Sequence, residues 1–442
     1  MSATTVVIGG GVAGLVAARA AAIRGDQVVL LEGSAELGGR VSSVDVGGLR
    51  IDAGAESFAS RGTQVSQLVG ALGLTQVDPA PGGAWLQLAD RSVPLPAASV
   101  LGIPGSPLAE DVRAAIGPRA SWRAWADRVI PELHVGRETD LDRLVRRRMG
   151  AAVLEKLVRP VVEGVYGVDP ADADAEALIP GINRALTTTG SLSSAVLSLR
   201  AGAPAGAAIK GIRGGMHLLA DALVADLRAR GVRIELSAEV AHAAHDGEGW
   251  RVSGTGVEEH ADRLFIATPG APARSLLRSV VDPTLVDEWP SGRESTVVVM
   301  LLDDARLGSD PRGTGVLVAE RQDGRATALT HSSAKWPWLR ELLPEGREVV
   351  RLTYQGRVAV GSRTALDDAS RLLGVDLADG SLIAMESRSW SQDVSRAARG
   401  VSARIDAVTA AVGAETGLAV GGAWVAGTGL AAVVRNAQSA FS

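Results

Sequence analysis

The chain has 442 residues, of which 46% are hydrophobic and 21% are charged, and its formal net charge is −5. This length exceeds the size at which one hydrophobic core keeps growing, so we expect two or three domains. The acidic balance excludes the basic surface that nucleic-acid binding requires. The absence of cysteine excludes disulfides and thiolate metal ligands, and the six histidines show no metal-binding spacing, so we expect no metal site.

The sequence also argues against a membrane-spanning protein. No apolar run approaches the roughly 18 to 20 residues that cross a bilayer. No basic segment precedes the apolar N-terminus, and glycines interrupt it, so it is not typical of a signal peptide. We expect a cytoplasmic protein without a transmembrane anchor, which at most contacts a membrane surface.

Residues 6–33 have the pattern of a strand, a glycine turn, a helix and a second strand. Gly9, Gly11 and Gly14 have GxGxxG spacing, which permits a tight turn, close approach of the backbone to a pyrophosphate, and close packing of the helix on the sheet. The free N–H groups at the start of the helix would face that phosphate. Glu32 ends the second strand, where its carboxylate can accept both hydroxyls of an adenosine ribose and would repel a ribose phosphate. The segment therefore predicts a dinucleotide site that disfavours NADP.

The middle of the chain changes from loop to helix. Residues 34–58 predict an extended, ligand-facing loop followed by strands, and residues 80–107, rich in proline, glycine and serine, predict a crossing between domains. From residue 108 to about 201 the apolar spacing is helical. Arg146, Arg147 and Arg148 are expected on a solvated helix face.

The second half is predominantly β-like. Four strands are predicted to return to the first sheet, at residues 232–236, 240–244, 250–252 and 263–267. The alternation between residues 295 and 354 predicts a second sheet. Residues 422–441 predict a strand, a glycine turn and a helix.

Several motifs together carry a resemblance to a known family. They are GGGVAG at residues 9–14, Glu32, GGR at 38–40, DAGAESF at 52–58, RPVVEGVYGVDP at 159–170, FIATP at 265–269 and SSAKWP at 332–337. With this combination the chain resembles, nearly end to end, the bacterial porphyrinogen oxidases of the FAD-dependent amine-oxidase superfamily. The glycine motifs are shared across the superfamily, whereas GAESF and GVYGVDP are typical of this branch.

The resemblance implies an α/β fold with an interrupted Rossmann-like FAD-binding domain, a mixed-sheet substrate domain and a helical insertion. We expect the FAD-binding domain in three parts, the crossing and its strands before the helical insertion, and the substrate sheet between the last two parts. The FAD-binding parts are residues 1–83, 211–275 and 391–442; the crossing is 84–107, the insertion 108–201 and the substrate sheet 276–390.

The resemblance also assigns residues to the cofactor. Those expected to hold FAD are Gly9, Gly10, Gly11, Val12, Ala13 and Gly14 at the pyrophosphate, Glu32 and Gly33 at the ribose, Gly39 and Arg40 at a phosphate, Val240 at the adenine, Gly54, Ala55, Glu56, Ser57 and Trp390 beside the flavin, and Gly427, Gly429 and Leu430 at its pyrimidine edge. A guanidinium suits a phosphate because its planar fork matches the oxygens. Backbone N–H groups at a helix N-terminus stabilise the negative charge of reduced flavin.

The function implied is oxidation of a porphyrinogen to a porphyrin in haem biosynthesis, with O2 as acceptor and H2O2 as by-product. Coproporphyrinogen III is the preferred substrate, with protoporphyrinogen IX close behind. Arg61 and Lys335 are expected to contact the substrate propionates, and no catalytic side chain is identified. A ferrochelatase partner follows only from the family's pathway, and the chain is expected to be a monomer or homodimer.

Two departures from the family pattern leave alternatives open. After Trp390 relatives usually have proline, glutamine and tyrosine and then a glycine–histidine pair, whereas this chain has SQDVSRAARG at 391–400. The closing turn has LAAVV at 430–434 in place of isoleucine, proline, aspartate and cysteine. The alternatives are another flavin amine oxidase or desaturase, and a diverged, non-catalytic FAD- or porphyrin-binding protein.

Overall fold

The computed structural model describes residues 2–60, 62–129, 139–201 and 209–441. A five-stranded, wholly parallel sheet forms its first unit. The strand order is Arg233–Glu235, Gln27–Leu31, Thr4–Ile8, Arg263–Ile266 and Leu418–Val420. The central strands are short apolar runs because both faces of a parallel sheet are covered. Distant stretches of chain supply the strands, and the predicted α/β class is confirmed.

Helices cover this sheet. They are Val12–Arg24, Gln64–Ala71, His217–Ala229, Gly270–Leu277, Pro283–Val286, Val401–Ala414, Ala423–Ala426 and Leu430–Gln438. The first helix is rich in alanine, and its small side chains are buried, so it packs closely on the sheet and on the last helix. This packing holds the N-terminus of the first helix next to the carboxyl end of the first strand.

A seven-stranded sheet forms the second unit. Its order is Leu382–Gln392, Arg293–Asp303, Arg347–Gln355, Ala328–His331, Gly315–Val318, Ala84–Gln87 and Ser92–Pro94. All neighbours are antiparallel except Gly315–Val318 and Ala84–Gln87. The helix Ser362–Leu373 packs on one face through a continuous hydrophobic core. Short helices flank the sheet at Ala305–Ser309, Ser332–Lys335, Pro337–Leu342 and Asp379–Ser381.

Residues that are opposite each other in neighbouring strands point to the same side of a sheet. The side away from the helix Ser362–Leu373 is called here the inner face. Its residues include Arg293, Ser295, Leu317, Thr330, Arg351, Thr353, Gln355, Arg388, Trp390 and Gln392. Most of these residues are partly exposed, whereas Val297, Val299, Leu301 and Val349 of the same face are buried in a hydrophobic cluster. On the other face, the middle of the sheet is buried under the helix Ser362–Leu373.

The helical insertion packs against the inner face. Its helices are Glu110–Ile116, Pro118–Trp125, Ala126–Arg128, Leu141–Met149, Ala151–Val153, Arg159–Tyr166, Ala175–Leu178, Ile182–Thr189 and Leu192–Ala201, with a π-helical stretch at Leu154–Val158. A Cβ on Gly164 would lie 3.2 Å from Leu317 Cδ2, and one on Gly167 would lie 2.8 Å from Gln392 Oε1. The insertion and the sheet thus meet closely beside Gln392.

The expected solvated arginine face is wrong for Arg148. Its side chain is 2% exposed and donates from Nε to Asp127 Oδ1 at 2.6 Å. Arg146 on the same helix is 46% exposed. The helix packs on both Asp127 and Gly190, so one arginine of the run points into the insertion and satisfies a buried carboxylate.

Two strands predicted for the first sheet form a sheet of their own. Val240–His245, Trp250–Gly254 and Val257–Ala261 make an antiparallel meander. The connections between these strands are tight turns, which can only reverse the chain, whereas a return to a parallel sheet needs a long crossover. The remaining small sheets are Phe58–Ala59 with Ile209–Ile212 and Gln76–Val77, Ser43–Val46 with Leu49–Asp52, and Ser99–Val100 with Ile103–Pro104.

Candidate functional site

The glycine turn after the first strand has the geometry of a dinucleotide cradle. A Cβ on Gly14 would lie 1.8 Å from Gly9 O, so only glycine allows the helix to start this close to the strand. A Cβ on Gly11, at the N-cap of the same helix, would meet nothing within 4 Å. The turn is therefore tightly packed where Gly14 meets Gly9 and open at Gly11, the side to which the N–H groups of the helix N-terminus point.

Glu32 lies beside this opening. Its Oε2 accepts from Gly10 N at 2.6 Å and its Oε1 from Ser34 N at 2.8 Å, so the carboxylate is fixed at the end of its strand. Ala238 N donates to Glu32 O at 2.9 Å, which brings the chain just before Val240 next to Glu32. The predicted ribose and adenine positions are thus neighbours.

The GGR segment closes the other side of the cradle. Gly38 N donates to Gly10 O at 2.8 Å. The guanidinium of Arg40 makes no hydrogen bond or ion pair within the part of the chain that the structure describes, and the side chain is solvent-accessible. Surrounding protein nevertheless desolvates the guanidinium and lowers its pKa, an effect that the charge of Asp393 partly opposes. An accessible cation enclosed by protein fits a cleft that receives a phosphate.

The loop 53–57 continues from Arg40 towards the inner face. A Cβ on Gly54 would lie 1.9 Å from Arg40 O, and Ala55 N donates to that oxygen at 2.9 Å. On the far side, Trp390 Nε1 donates to Ala53 O at 3.2 Å. The loop therefore connects the dinucleotide cradle to the strand that bears Trp390.

Glu56 is the centre of a charge cluster at the end of this loop. It accepts from Lys335 Nζ at 2.9 Å and from Ser332 Oγ, and Arg351 Nη1 lies 3.5 Å away. Burial alone would raise the pKa of Glu56, but the charges of Lys335 and Arg351 and the hydrogen bonds lower it to about 2. Glu56 is thus a carboxylate throughout the neutral range. Arg351 and Ser332 were not identified from the sequence, since neither belongs to a recognisable phosphate or ribose motif.

The closing turn completes the cradle. Gly429 is the N-cap of the last helix, and neither Gly427 nor Gly429 would place a Cβ within 4 Å of another group. With Gly11 these glycines leave an open, backbone-lined surface, whereas a Cβ on Gly39 would lie 3.2 Å from Gly11 Cα, so Gly39 packs directly on the turn. The residues present therefore fit a bound dinucleotide.

The two predicted substrate contacts have different outcomes. Arg61 lies outside the described residues. Lys335 lies near the site, but its side chain is only 15% exposed and its ammonium is paired with Glu56. Its contact with a propionate stays a prediction.

Comparison with known proteins decides the family. The family model for flavin-containing amine oxidoreductases matches residues 12–430. The chain belongs to this family. The cofactor of this flavoenzyme is FAD, since the family contains flavin and the N-terminal cradle fits a dinucleotide.

Proteins named coproporphyrinogen III oxidase are similar in sequence to most of this chain. Coproporphyrinogen III oxidase of Mycobacterium leprae is 32% identical over 82% of this chain and 79% of its own length. The Staphylococcus aureus protein of the same name is 27% identical over 81% and 79%. The solved structure of a candidate protoporphyrinogen oxidase from Exiguobacterium sp. 255-15 has a TM-score of 0.84 at 23% identity, covers 99% and 98% of the two chains, and shows the shared fold.

The divergent segment 391–400 is integrated into this site. Asp393 Oδ1 accepts from Gly270 N at 2.9 Å, next to the turn that packs on Gly9. Arg396 Nη1 donates to Val425 O at 2.9 Å, and Asp174 N donates to Ala397 O at 2.7 Å. The segment thus joins the insertion to the closing turn by contacts of its own. Among the helices of the described residues, none is long and apolar enough to cross a membrane.

Proposed function

We propose that this flavoenzyme oxidises coproporphyrinogen III to coproporphyrin III in haem biosynthesis, with O2 as the electron acceptor and H2O2 as by-product. The observation that carries the proposal is the position of the inner face. It extends from the loop 53–57, where the flavin is proposed to lie, to the helix Arg159–Tyr166. The choice of substrate comes from the relatives named coproporphyrinogen III oxidase, which are similar to this protein over about four fifths of its chain.

The cofactor would be held by the residues of the cradle. Helix N–H groups behind Gly11, together with Arg40, would bind the pyrophosphate, Glu32 the ribose, Val240 the adenine, and Gly427 to Leu430 the pyrimidine edge. Bound FAD supplies two-electron acceptance from a carbon of the macrocycle.

The chain's own residues would orient the macrocycle and exclude water. The inner face offers a mixed surface of Trp390, Leu317 and hydroxyl side chains, with the insertion opposite. Glu56 holds its negative charge against Lys335 and Arg351, so it is a poor proton acceptor at neutral pH. We therefore assign no general base to the cluster around Glu56. In this proposal the inner face aligns the donor carbon, and successive two-electron rounds complete the aromatic ring.

Protoporphyrinogen IX is the second candidate substrate. The chloroplast protoporphyrinogen oxidase of Oryza sativa is 26% identical in an alignment that covers all of this chain and 88% of the relative. A cytoplasmic location, a ferrochelatase partner and a monomeric or homodimeric state are further parts of the proposal, and the ferrochelatase rests on the family's pathway alone.

The test is oxidation of purified substrate in air. FAD-loaded protein is mixed with coproporphyrinogen III or protoporphyrinogen IX, and porphyrin fluorescence and H2O2 are followed against a protein-free control. We expect porphyrin to form well above autoxidation, with one H2O2 per two-electron round, and faster with coproporphyrinogen III. Autoxidation rates alone with both substrates would overturn the proposal and favour a flavin-binding protein without this activity.

A further inference from the structure

The arginines on and beside the inner face, apart from Arg293, have partners. Arg351 contacts Glu56 and donates to Gly54 O at 2.7 Å, Arg388 donates to Glu36 at 2.6 Å, and Arg347 lies 3.6 Å from Asp303. Arg321, which belongs to an adjacent loop, pairs with Glu163. The guanidinium of Arg293, in contrast, makes no hydrogen bond or ion pair to any residue within the described ranges.

Arg293 lies close to the expected position of the substrate. It is opposite Gln392 in the register of the strands Arg293–Asp303 and Leu382–Gln392, and Ser295, two residues further, is opposite Trp390. Gln392 Nε2 donates to Ser295 Oγ at 3.4 Å, which confirms that these side chains share a face. Two residues along a strand span about 7 Å, less than the diameter of a tetrapyrrole ring. A macrocycle placed against Trp390 would therefore bring its edge to Arg293.

The charges around Arg293 compensate its own charge only in part. Asp169 already pairs with Arg159 Nη1 at 2.8 Å; burial opposes ionisation of this carboxyl, but its hydrogen bonds and the charges of Arg159 and Arg293 lower its pKa. Arg159 forms ion pairs with Glu155, Glu163 and Asp169 at 2.7 to 3.0 Å, and Arg321 also pairs with Glu163. Desolvation lowers the pKa of Arg321, and the nearby charge of Arg293 contributes in the same direction, so the two cations repel each other. A partly exposed arginine in this position gains by binding an anion from outside.

We propose that Arg293 binds a propionate carboxylate of the porphyrinogen and fixes the orientation of the ring against Trp390. This inference rests on the proposed function and refines it. It also moves substrate recognition away from Lys335, whose charge Glu56 already compensates. Arg293 is a binding residue for the substrate edge and acts on affinity more than on the rate of hydride removal.

The test uses the FAD-loaded protein and two ligands that differ in charge. Binding of coproporphyrin III and of its tetramethyl ester is measured by fluorescence in the same detergent for the parent protein, Arg293→Gln and Arg293→Lys. We expect Arg293→Gln to weaken binding of the acid roughly tenfold or more and to leave the ester within about twofold, with partial recovery in Arg293→Lys. Arg357→Gln is the matched control, because Arg357 is exposed at the same end of the sheet and pairs with Glu294 at 3.3 Å.

Turnover gives a second readout. With coproporphyrinogen III, Arg293→Gln should raise KM about tenfold and change kcat less than about threefold. Equal weakening of acid and ester, or unchanged binding of the acid in Arg293→Gln, would overturn the inference while leaving the oxidase activity of the parent protein in place. Failure of the parent protein to oxidise either porphyrinogen would instead overturn the proposed function.

Discussion

Glu56 Oε2 accepts a hydrogen bond from Lys335 Nζ at 2.9 Å and thereby joins the loop 53–57 to the short helix Ser332–Lys335, which flanks the seven-stranded sheet. Both side chains are largely buried, at 9% and 15% exposure. Arg351 lies on the other side of the carboxylate and donates to Gly54 O in the same loop. One carboxylate therefore holds two cations and two structural units together.

Removing that carboxylate should cost more stability than removing the lysine. Glu56→Gln leaves Lys335 and Arg351 close together without a counter-charge, and we expect the free energy of unfolding to fall by roughly 3–5 kcal/mol. Lys335→Met leaves Glu56 with Arg351 and Ser332, so about 1–2 kcal/mol should be lost. The measurement is urea unfolding at saturating FAD. The variant that carries both substitutions should lose less free energy of unfolding than the sum of the two single losses. A loss below about 0.5 kcal/mol in Glu56→Gln would contradict this account.

Acid should remove the same stabilisation. The pKa of Glu56 is lowered from 4.5 to about 2, so between these values the unfolded chain binds more protons than the folded chain. The contribution, on the order of 3 kcal/mol, is fully present above pH 4.5 and is lost as the pH falls towards 2. Comparing the free energy of unfolding of the parent protein and Glu56→Gln across this window should show a difference that shrinks with acid. Parallel curves would refute the assignment.

Two glycines of the cradle should respond differently to one methyl group. Gly11→Ala places its Cβ in open space and should leave the thermal stability of the apoprotein unchanged, while weakening FAD binding about tenfold or more because the pyrophosphate needs that space. Gly14→Ala drives its Cβ into Gly9 O and should cost roughly 1–3 kcal/mol of stability. Thermal unfolding of the apoproteins and FAD titration separate the two effects. Normal FAD affinity in Gly11→Ala would show that the pyrophosphate does not bind at Gly11.

Two arginines of one helix provide another matched pair. Arg148→Gln leaves the buried Asp127 carboxylate without its cation, although Ser193 N and Oγ still donate to it, and should cost roughly 3–5 kcal/mol. Arg146→Gln removes an exposed pair with Asp142 and Glu155 and should change stability by less than about 1 kcal/mol. Urea unfolding measures both losses of stability. Equal losses would show that the buried Arg148–Asp127 pair stabilises the fold no more than the exposed pairs of Arg146.

The sequence predicts the cradle better than the substrate side because the two depend on different kinds of signal. The positions of Gly9, Gly14 and Glu32 follow from the local geometry of a strand, a turn and a helix. This geometry requires certain residue types at a set spacing, so a short sequence motif indicates it. Arg293 and Arg351 reach the site only through the register of distant strands, so no spacing along the chain marks them. For the same reason Arg148 looks like part of a solvated run, although helix packing turns it towards Asp127.

The most direct measurement is anaerobic mixing of the FAD-loaded protein with coproporphyrinogen III, followed by the absorbance of oxidised flavin and the fluorescence of the porphyrin product. Without oxygen, electrons from the macrocycle can only reach the flavin. We predict loss of the oxidised flavin absorbance at a rate that depends on porphyrinogen concentration, and its recovery when air is admitted. Flavin that stays oxidised in the presence of excess porphyrinogen would contradict the central claim that this site takes electrons from a porphyrinogen.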